Sequence, residues 1–314
     1  MGGEALLQAR ERAWRRFGKR VTLYLPGMFV LDGRRGRYPA ISITGAWCGL
    51  QCDHCAGRIL EPMPPAVTPR ALVEACLRAA GEGAAGVLLT GGSDARGRLP
   101  WGEFLPAIRE IKSGTRLHVS VHAGMVGPQT ARALREAGVD QALIDVVGDG
   151  ETLREVMHLE GGEERVRRTL EALCQAGLEV VPHVILGLRF GRVSGERRAL
   201  AMLKGHPIRL LVWVGFMPLR GTPMSRVPPL PLEDAAQLLA ESRILFPETE
   251  ISLGCARPRG PYRTALEKLA LDAGVNRMAL YSEETAAHAR SLGLVVHFQE
   301  TCCSLAPAPG GGVG

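Results

Sequence analysis

Three cysteines stand close together in Cys48-Gly-Leu-Gln-Cys52-Asp-His-Cys55, a CxxxCxxC pattern directly after a short apolar run. Thiolates are soft donors that suit zinc or iron–sulfur centres. A structural zinc site wants four protein ligands, and no CxxC or HxxxH partner stands nearby to complete one. His54 adjoins Cys55 and reads better as packing around a centre than as a fourth ligand. An iron–sulfur cluster on three cysteines, with one iron left open, accounts for the odd number. An open iron invites a small molecule carrying amine and carboxylate donors.

A second set of thiols lies far along the chain. Cys255 occurs in Leu253-Gly254-Cys255-Ala256-Arg257-Pro258, and Cys302-Cys303-Ser304 comes near the end. Three more thiols suggest an auxiliary iron–sulfur cluster; the alternative for the adjacent pair is a solvent-facing pair or a strained vicinal disulfide. Neighbouring side chains on an extended strand point opposite ways, so both can ligate only where the backbone turns. Ser304 offers an oxygen as a fourth ligand. Cys76 and Cys174 stand among Leu and Ala in helical patterns and read as core packing.

The elements that must position these residues are regularly spaced. Apolar runs at 40–43, 86–90, 117–121, 141–147, 179–186, 209–216, 250–253 and 277–280 read as strands. Amphipathic helical patterns at 69–80, 102–111, 129–137, 163–176, 195–204, 232–246 and 261–273 fall between them. Gly138, Gly177 and Gly274 follow Ala at helix ends, as C-cap glycines do. Eight strand–helix units in about 250 residues predict an α/β fold, a (β/α)8 TIM-like barrel. A doubly wound sheet would carry a Gly-rich phosphate turn after the first strand, where Gly45-Ala46-Trp47-Cys48 stands instead. The division predicted is an N-terminal extension at 1–39, the barrel at 40–292, a strand and Cys-bearing segment at 293–304, and a disordered tail at 305–314. Active sites of such barrels lie at the C-terminal ends of the strands, so both thiol sets are expected at the mouth.

Composition excludes other classes. With 46% hydrophobic and 22% charged residues among 314, disordered, collagen-like and coiled-coil proteins are ruled out. The net charge of +6 is spread along the chain and does not argue for nucleic acid. No apolar run approaches the roughly 18–20 residues of a membrane span. Residues 1–19 carry several charges and no apolar signal-peptide core, so an exposed amphipathic helix is expected. Eight cysteines in a chain read as unexported should be reduced, and a soluble cytoplasmic protein is expected.

The CxxxCxxC after the first barrel strand resembles the radical S-adenosylmethionine superfamily. That resemblance implies a [4Fe–4S] cluster on Cys48, Cys52 and Cys55, its fourth iron chelated by the methionyl part of S-adenosylmethionine. An electron from the cluster cleaves the sulfonium and yields a 5′-deoxyadenosyl radical, while the barrel positions the cofactor and excludes water. It also implies that the Gly91-Gly92 turn lets backbone groups approach the methionine ammonium. His122, Asp145 and Asp149 would touch the ribose or substrate, and Gly187 would border the adenine. Without the resemblance each of these is a turn or loop residue.

The regions 251–257 and 273–276 read like biotin synthase. That family, however, ligates a [2Fe–2S] cluster through an Arg early in the seventh strand, and the aligned residue here is Ser252. Single-chain lipoyl synthases carry an N-terminal Cys triplet, whereas residues 1–47 contain no Cys. From about 40 to 304 the sequence is most similar to the two-component, archaeal-type lipoyl synthases, through Ile43-Thr44-Gly45-x-x-Cys48, Asp53-His54-Cys55, Leu89-Thr90-Gly91-Gly92, Ile144-Asp145, 254–258, 273–276 and Cys302-Cys303. This implies sulfur insertion into the octanoyl chain of a lipoyl carrier protein or lipoyl domain. The adenosyl radical removes a C–H hydrogen, and the carbon radical attacks a bridging sulfide of an auxiliary cluster on Cys255, Cys302 and Cys303. A companion radical protein and an electron donor such as ferredoxin or flavodoxin are implied, with no nucleic-acid or membrane partner. The lack of a His–carboxylate or Ser–His arrangement agrees with homolytic steps. Two alternatives remain open at this point: a biotin synthase-like or other radical reaction on a small molecule, and a non-catalytic iron–sulfur carrier or sensor. A substrate cavity in an eight-unit barrel argues against the second.

Overall fold

Each apolar run singled out above forms a strand of one parallel sheet in the computed structural model, which describes residues 2–31 and 33–306. Positions 307–314 of the predicted tail lie outside the described residues. In chain order the strands are β1 (Arg20–Tyr24), β2 (Val30–Leu31), β3 (Arg34–Arg35), β4 (Ala40–Ser42), β5 (Gly86–Thr90) and β6 (His118–His122). They continue with β7 (Gln141–Asp145), β8 (Glu179–Leu186), β9 (Leu210–Gly215), β10 (Glu250–Leu253), β11 (Arg277–Ala279) and β12 (Val295–Gln299). β2 and β3 form a small antiparallel ribbon; the other ten strands pair in parallel in the order β12-β1-β11-β10-β9-β8-β7-β6-β5-β4. The α/β barrel class expected from the sequence is thus observed as a curled ten-strand sheet. Among the described residues no pairing joins β4 to β12.

Two features of the termini correct the sequence reading. β1 comes from the segment taken as an extension, yet it lies inside the sheet, paired with both β11 and β12. A boundary at 39/40 therefore divides the sequence and not the sheet. The helix Gly2–Phe17, expected to be exposed, is docked on the helix Leu232–Leu245. Ala9 and Ala13 are buried, and a Cβ at Gly274 would lie 2.7 Å from the Ala13 Cβ, so small residues on both sides set the approach. The guanidinium of Arg243, itself fully buried, lies over the Phe17 ring at 5.1 Å.

One large apolar core fills the space between sheet and helices and includes Ile41, Leu89, Val121, Ile144 and Leu253. A separate small cluster of Leu143, Val181, Leu210 and Val212 faces the other way, into the curl. Register aligns Asp145, His183, Val212, Ser252 and Arg277 in one row across β7 to β11, so this inner face mixes apolar and polar groups. Among the described residues no helix is long and apolar enough to cross a membrane.

A buried ion pair fixes the turn that follows β10. Arg257 meets Glu267 at 2.7 Å with both side chains inaccessible to water, and Arg257 also donates to the Gly254 and Leu280 carbonyls. Glu267 in turn accepts from Thr285 Oγ1 at 2.5 Å and from the Ser282 amide at 3.0 Å. Removing one partner of such a pair leaves an uncompensated buried charge and costs about 3–5 kcal/mol. Glu267→Ala is expected to lose stability of that size in urea unfolding; a loss below about 1 kcal/mol would contradict a dry pair.

Candidate metal centre and lumen

The loop after β4 is shaped by short polar contacts. Ser42 Oγ donates to the Gly45 carbonyl at 2.6 Å, and Thr44 Oγ1 donates to the Trp47 carbonyl at 3.0 Å. The Gly92 amide donates to Thr44 Oγ1 at 2.6 Å. A Cβ at Gly92 would lie 2.5 Å from the Cys48 Cα and collide with the Trp47 carbonyl, so only glycine lets this backbone pass. Gln51 takes a left-handed φ of 48°, and its side-chain amide donates to the Cys48 carbonyl at 2.6 Å. The Cys55 and Ala56 amides both return to the Cys52 carbonyl, at 3.1 and 2.7 Å, which winds Cys52 and Cys55 onto one turn.

From outside, a short strap holds the loop. The Cys52 sulfur lies 3.4 Å from the Met157 carbonyl, and His158 hydrogen-bonds the Leu50 carbonyl and the Asp53 carboxylate, each at 3.0 Å. Cys52 and Cys55 are buried and Cys48 is half-buried. The donor atoms of Cys52, His54 and Cys55 lie within 4.8 Å of one another, so His54 reaches ligand distance although the sequence placed it as packing. The hydrogen bond from Cys52, helped by His54, lowers Cys55 to about 4, and Cys52 keeps the shared proton and is pushed up. One ready thiolate with further thiols on the same short loop fits a soft, electron-poor centre, which releases protons when it binds. Cys48 stands outside the 4.8 Å group. That spread suits the separate corners of a cluster better than a single tetrahedral ion.

The other sequence-predicted residues divide into two kinds. Asp149 is buried and caps the helix Gly150–Glu155, accepting from the Thr152 amide at 2.8 Å and the Thr152 hydroxyl at 2.5 Å. Each of its oxygens thus accepts a hydrogen bond from Thr152, one from the amide and one from the hydroxyl. The Gly187 amide, in a left-handed turn with φ 72°, donates to the buried Glu196 carboxylate at 2.9 Å. A cleft bordered by Val146, Gly148, Ile185, Leu188 and Glu196 opens beside it. His122 and Asp145, by contrast, remain available on the inner face, 3.8 Å apart. His183, which the sequence reading missed, lies tilted against His122 with ring centroids 5.8 Å apart. Its signal was a single histidine inside an otherwise apolar strand run.

The second thiol set is only partly where it was expected. Cys255 follows β10 at the mouth, but 302–305 turns down into the lumen. The Ser304 carbonyl accepts from Gln141 Nε2 at 3.1 Å, and Gln141 is the first residue of β7. The Leu305 amide closes a turn on the Cys302 carbonyl at 3.0 Å, supplying the bend that lets both cysteines face one side. Cys302 is lowered to about 6 by hydrogen bonds from Cys303 and then Ser304, whose hydroxyl lies 3.2 Å away, while Cys303 is pushed up. His183, Cys255 and Cys302 are reached by water yet ringed by protein, as groups on a cavity wall are. Cys76 is buried in the core as expected, where burial pushes it up to about 12, and Cys174 is half-buried.

The curled parallel sheet with a thiol loop after β4 defines a class. Residues 42–190 match the family model of the Radical SAM superfamily, and the chain is similar to biotin synthases at low identity. A biotin synthase of Desulforudis audaxviator is 33% identical over 165 residues, 49% of this chain and 48% of that protein. One from Oleidesulfovibrio alaskensis is 28% identical over 249 residues, 75% of this chain and 71% of that protein. The first of these matches spans about half the relative's length. Among solved structures, a methylornithine synthase superposes with a TM-score of 0.63 at 17% identity, covering 93% of this chain and 88% of that one. The FeFe-hydrogenase maturase HydG from Carboxydothermus hydrogenoformans gives 0.67 at 17% identity, over 94% and 71%. These two share the fold.

Two predictions arise here. Gly92→Ala forces the cluster loop aside at a cost of about 1–3 kcal/mol, and iron bound by the reconstituted protein should fall; undiminished iron would show that the loop yields freely. Burial, then His122, pushes His183 down to about 4, with Asp145 opposing. A histidine depressed in the folded state gives its full stability above about 6.5, lost as pH falls towards 4. His183→Gln should therefore recover about 1–3 kcal/mol of the stability lost across that window, read as urea midpoints. Parallel pH profiles for the two proteins would refute it.

Proposed function

We propose that the protein is a radical S-adenosylmethionine sulfur-insertion enzyme, one component of a two-protein lipoyl synthase acting on the octanoyl group of a lipoyl carrier protein. The observation that carries this reading is the second thiol set. Cys302 and Cys303 turn into the same lumen that Cys255 borders, apart from the Cys48 loop. A superfamily member needing only one cluster has no use for such a set.

When bound, a [4Fe–4S] cluster with S-adenosylmethionine supplies a one-electron reductive cleavage that generates a hydrogen-abstracting radical. Cys48, Cys52 and Cys55 would hold that cluster. Gly91 and Gly92 would offer backbone to the methionine end, His122 and Asp145 would hydrogen-bond ribose or substrate, and the Gly187 turn would border the adenine. Asp149 serves by holding the turn after β7. Cys255, Cys302 and Cys303 would hold a sulfur-bearing auxiliary cluster, with Ser304 beside them. Leu143, Val181 and Val212, buried together on the inner face, give the lumen a stretch of apolar wall. A companion radical protein and a ferredoxin- or flavodoxin-type donor belong to the same proposal.

A second reading, biotin synthase-like sulfur insertion into a small molecule, is favoured by the curated relatives. Iron and acid-labile sulfide per chain after anaerobic reconstitution separate the two. About eight irons in the wild type and about four in Cys255→Ala/Cys302→Ala/Cys303→Ala support two [4Fe–4S] clusters. About six in the wild type favour the biotin synthase type, and about four in both remove the sulfur-donor reading. Formation of 5′-deoxyadenosine under reducing conditions then excludes a cluster carrier or sensor, which would not consume S-adenosylmethionine.

A further inference from the structure

We infer that Arg277, assisted by Gln141 and Tyr24, is the positioning residue that seats Cys302 and Cys303 in the lumen. After β12 the chain leaves the sheet, so the carbonyls of 303–305 have no strand ladder to pair with. Buried carbonyls must still find donors. A single guanidinium nitrogen, Arg277 Nη1, lies within hydrogen-bond distance of three in succession, its two N–H groups shared among Cys303 at 3.2 Å, Ser304 at 3.4 Å and Leu305 at 3.1 Å. The other terminal nitrogen is held by Glu250 from the neighbouring strand β10, which orients the fork and balances its charge. Gln141 Nε2 takes the Ser304 carbonyl from the opposite wall and is itself anchored on Glu179 at 3.0 Å. Tyr24, fully buried, donates its hydroxyl to the Leu305 carbonyl at 3.0 Å and packs on Cys303.

These donors come from β1, β7 and β11, strands far apart in sequence, and they converge on three consecutive carbonyls. The contacts from Arg277, Gln141 and Tyr24 all go to backbone, and none of them uses a thiol. Arg277 pairs in register with Ser252 of β10. The segment is therefore presented to the lumen by its backbone. The consequence for metal binding rests on the reading of the pair as cluster ligands; the seating itself does not.

The test is peptide-resolved alkylation of the full-length, cluster-free protein with iodoacetamide, after reduction, in the wild type, Arg277→Met, Arg277→Lys and Gln141→Leu. Arg277→Met should label Cys302 and Cys303 about tenfold faster than the wild type through local release of the segment, with Arg277→Lys partly restoring protection. Cys76, buried in the core, reports global unfolding in the same experiment. Where Cys76 also reacts faster in Arg277→Met, Gln141→Leu decides: faster labelling confined to the pair supports the clamp. Unchanged labelling of the pair in Gln141→Leu, or in an intact Arg277→Met, overturns it. Iron analysis of the reconstituted variants distinguishes the two ideas. Faster labelling with about half the iron lost supports both the clamp and the ligand role. Faster labelling with full iron retains the clamp and removes the ligand role.

Discussion

The contact between the backbone at 47–48 and Gly92 is the constraint on which the first site depends. β4 and β5 are neighbours in the sheet, so the loop that leaves β4 and the turn that leaves β5 must share one corner of the mouth. With no side chain at 92 the two backbones meet directly, and Thr44 bridges them through its hydroxyl. Everything downstream in the loop is then aimed by that corner: the left-handed Gln51, the turn that brings Cys52 beside Cys55, and the strap at 157–158 that holds the turn from outside. The paired glycines that resemble a cofactor-binding turn therefore have a prior task in packing. Both roles ask for the same thing, a backbone that another group can approach closely.

A parallel sheet that curls has one face under helices and another around a lumen, and the two obey different rules here. The outer face is apolar throughout, because the helices dehydrate it. The inner row of Asp145, His183, Ser252 and Arg277 is polar and has to be satisfied inside the curl. Part of that need is met by the chain itself, whose final described segment brings carbonyls to Arg277 and Gln141. His122, Asp145 and His183 stand together on the same inner face. The buried Arg257–Glu267 pair stands behind Cys255 and keeps the turn after β10 in place while its thiol remains accessible.

Much of this architecture could be read directly. The eight apolar runs are strands because β-branched residues recur between helical patterns closed by glycines, and Gly138, Gly177 and Gly274 do take positive φ values. The misreadings share a cause. β1 is a five-residue run whose partners, β11 and β12, come more than 250 residues later, so nothing local marks it as a sheet member. The docking of the first helix turns on Ala9, Ala13 and Gly274, residues too small to give an apolar stripe. Asp149 also caps a helix through Thr152, a local role that the sequence reading did not assign to it.

What the amino-acid sequence determined by itself is the chemistry of short range: three thiols within eight residues, the Gly-Gly turn, and the order of strands and helices. Spacing of that kind is set by covalent geometry and survives any packing. Tertiary structure alone decided which side chains share the lumen, that Cys302 and Cys303 sit within it and not over its rim, and that Arg277, Gln141 and Tyr24 receive them. Those choices depend on register between parallel strands joined by long crossovers. Register of that kind is fixed by how whole faces pack, which no local stretch of sequence encodes.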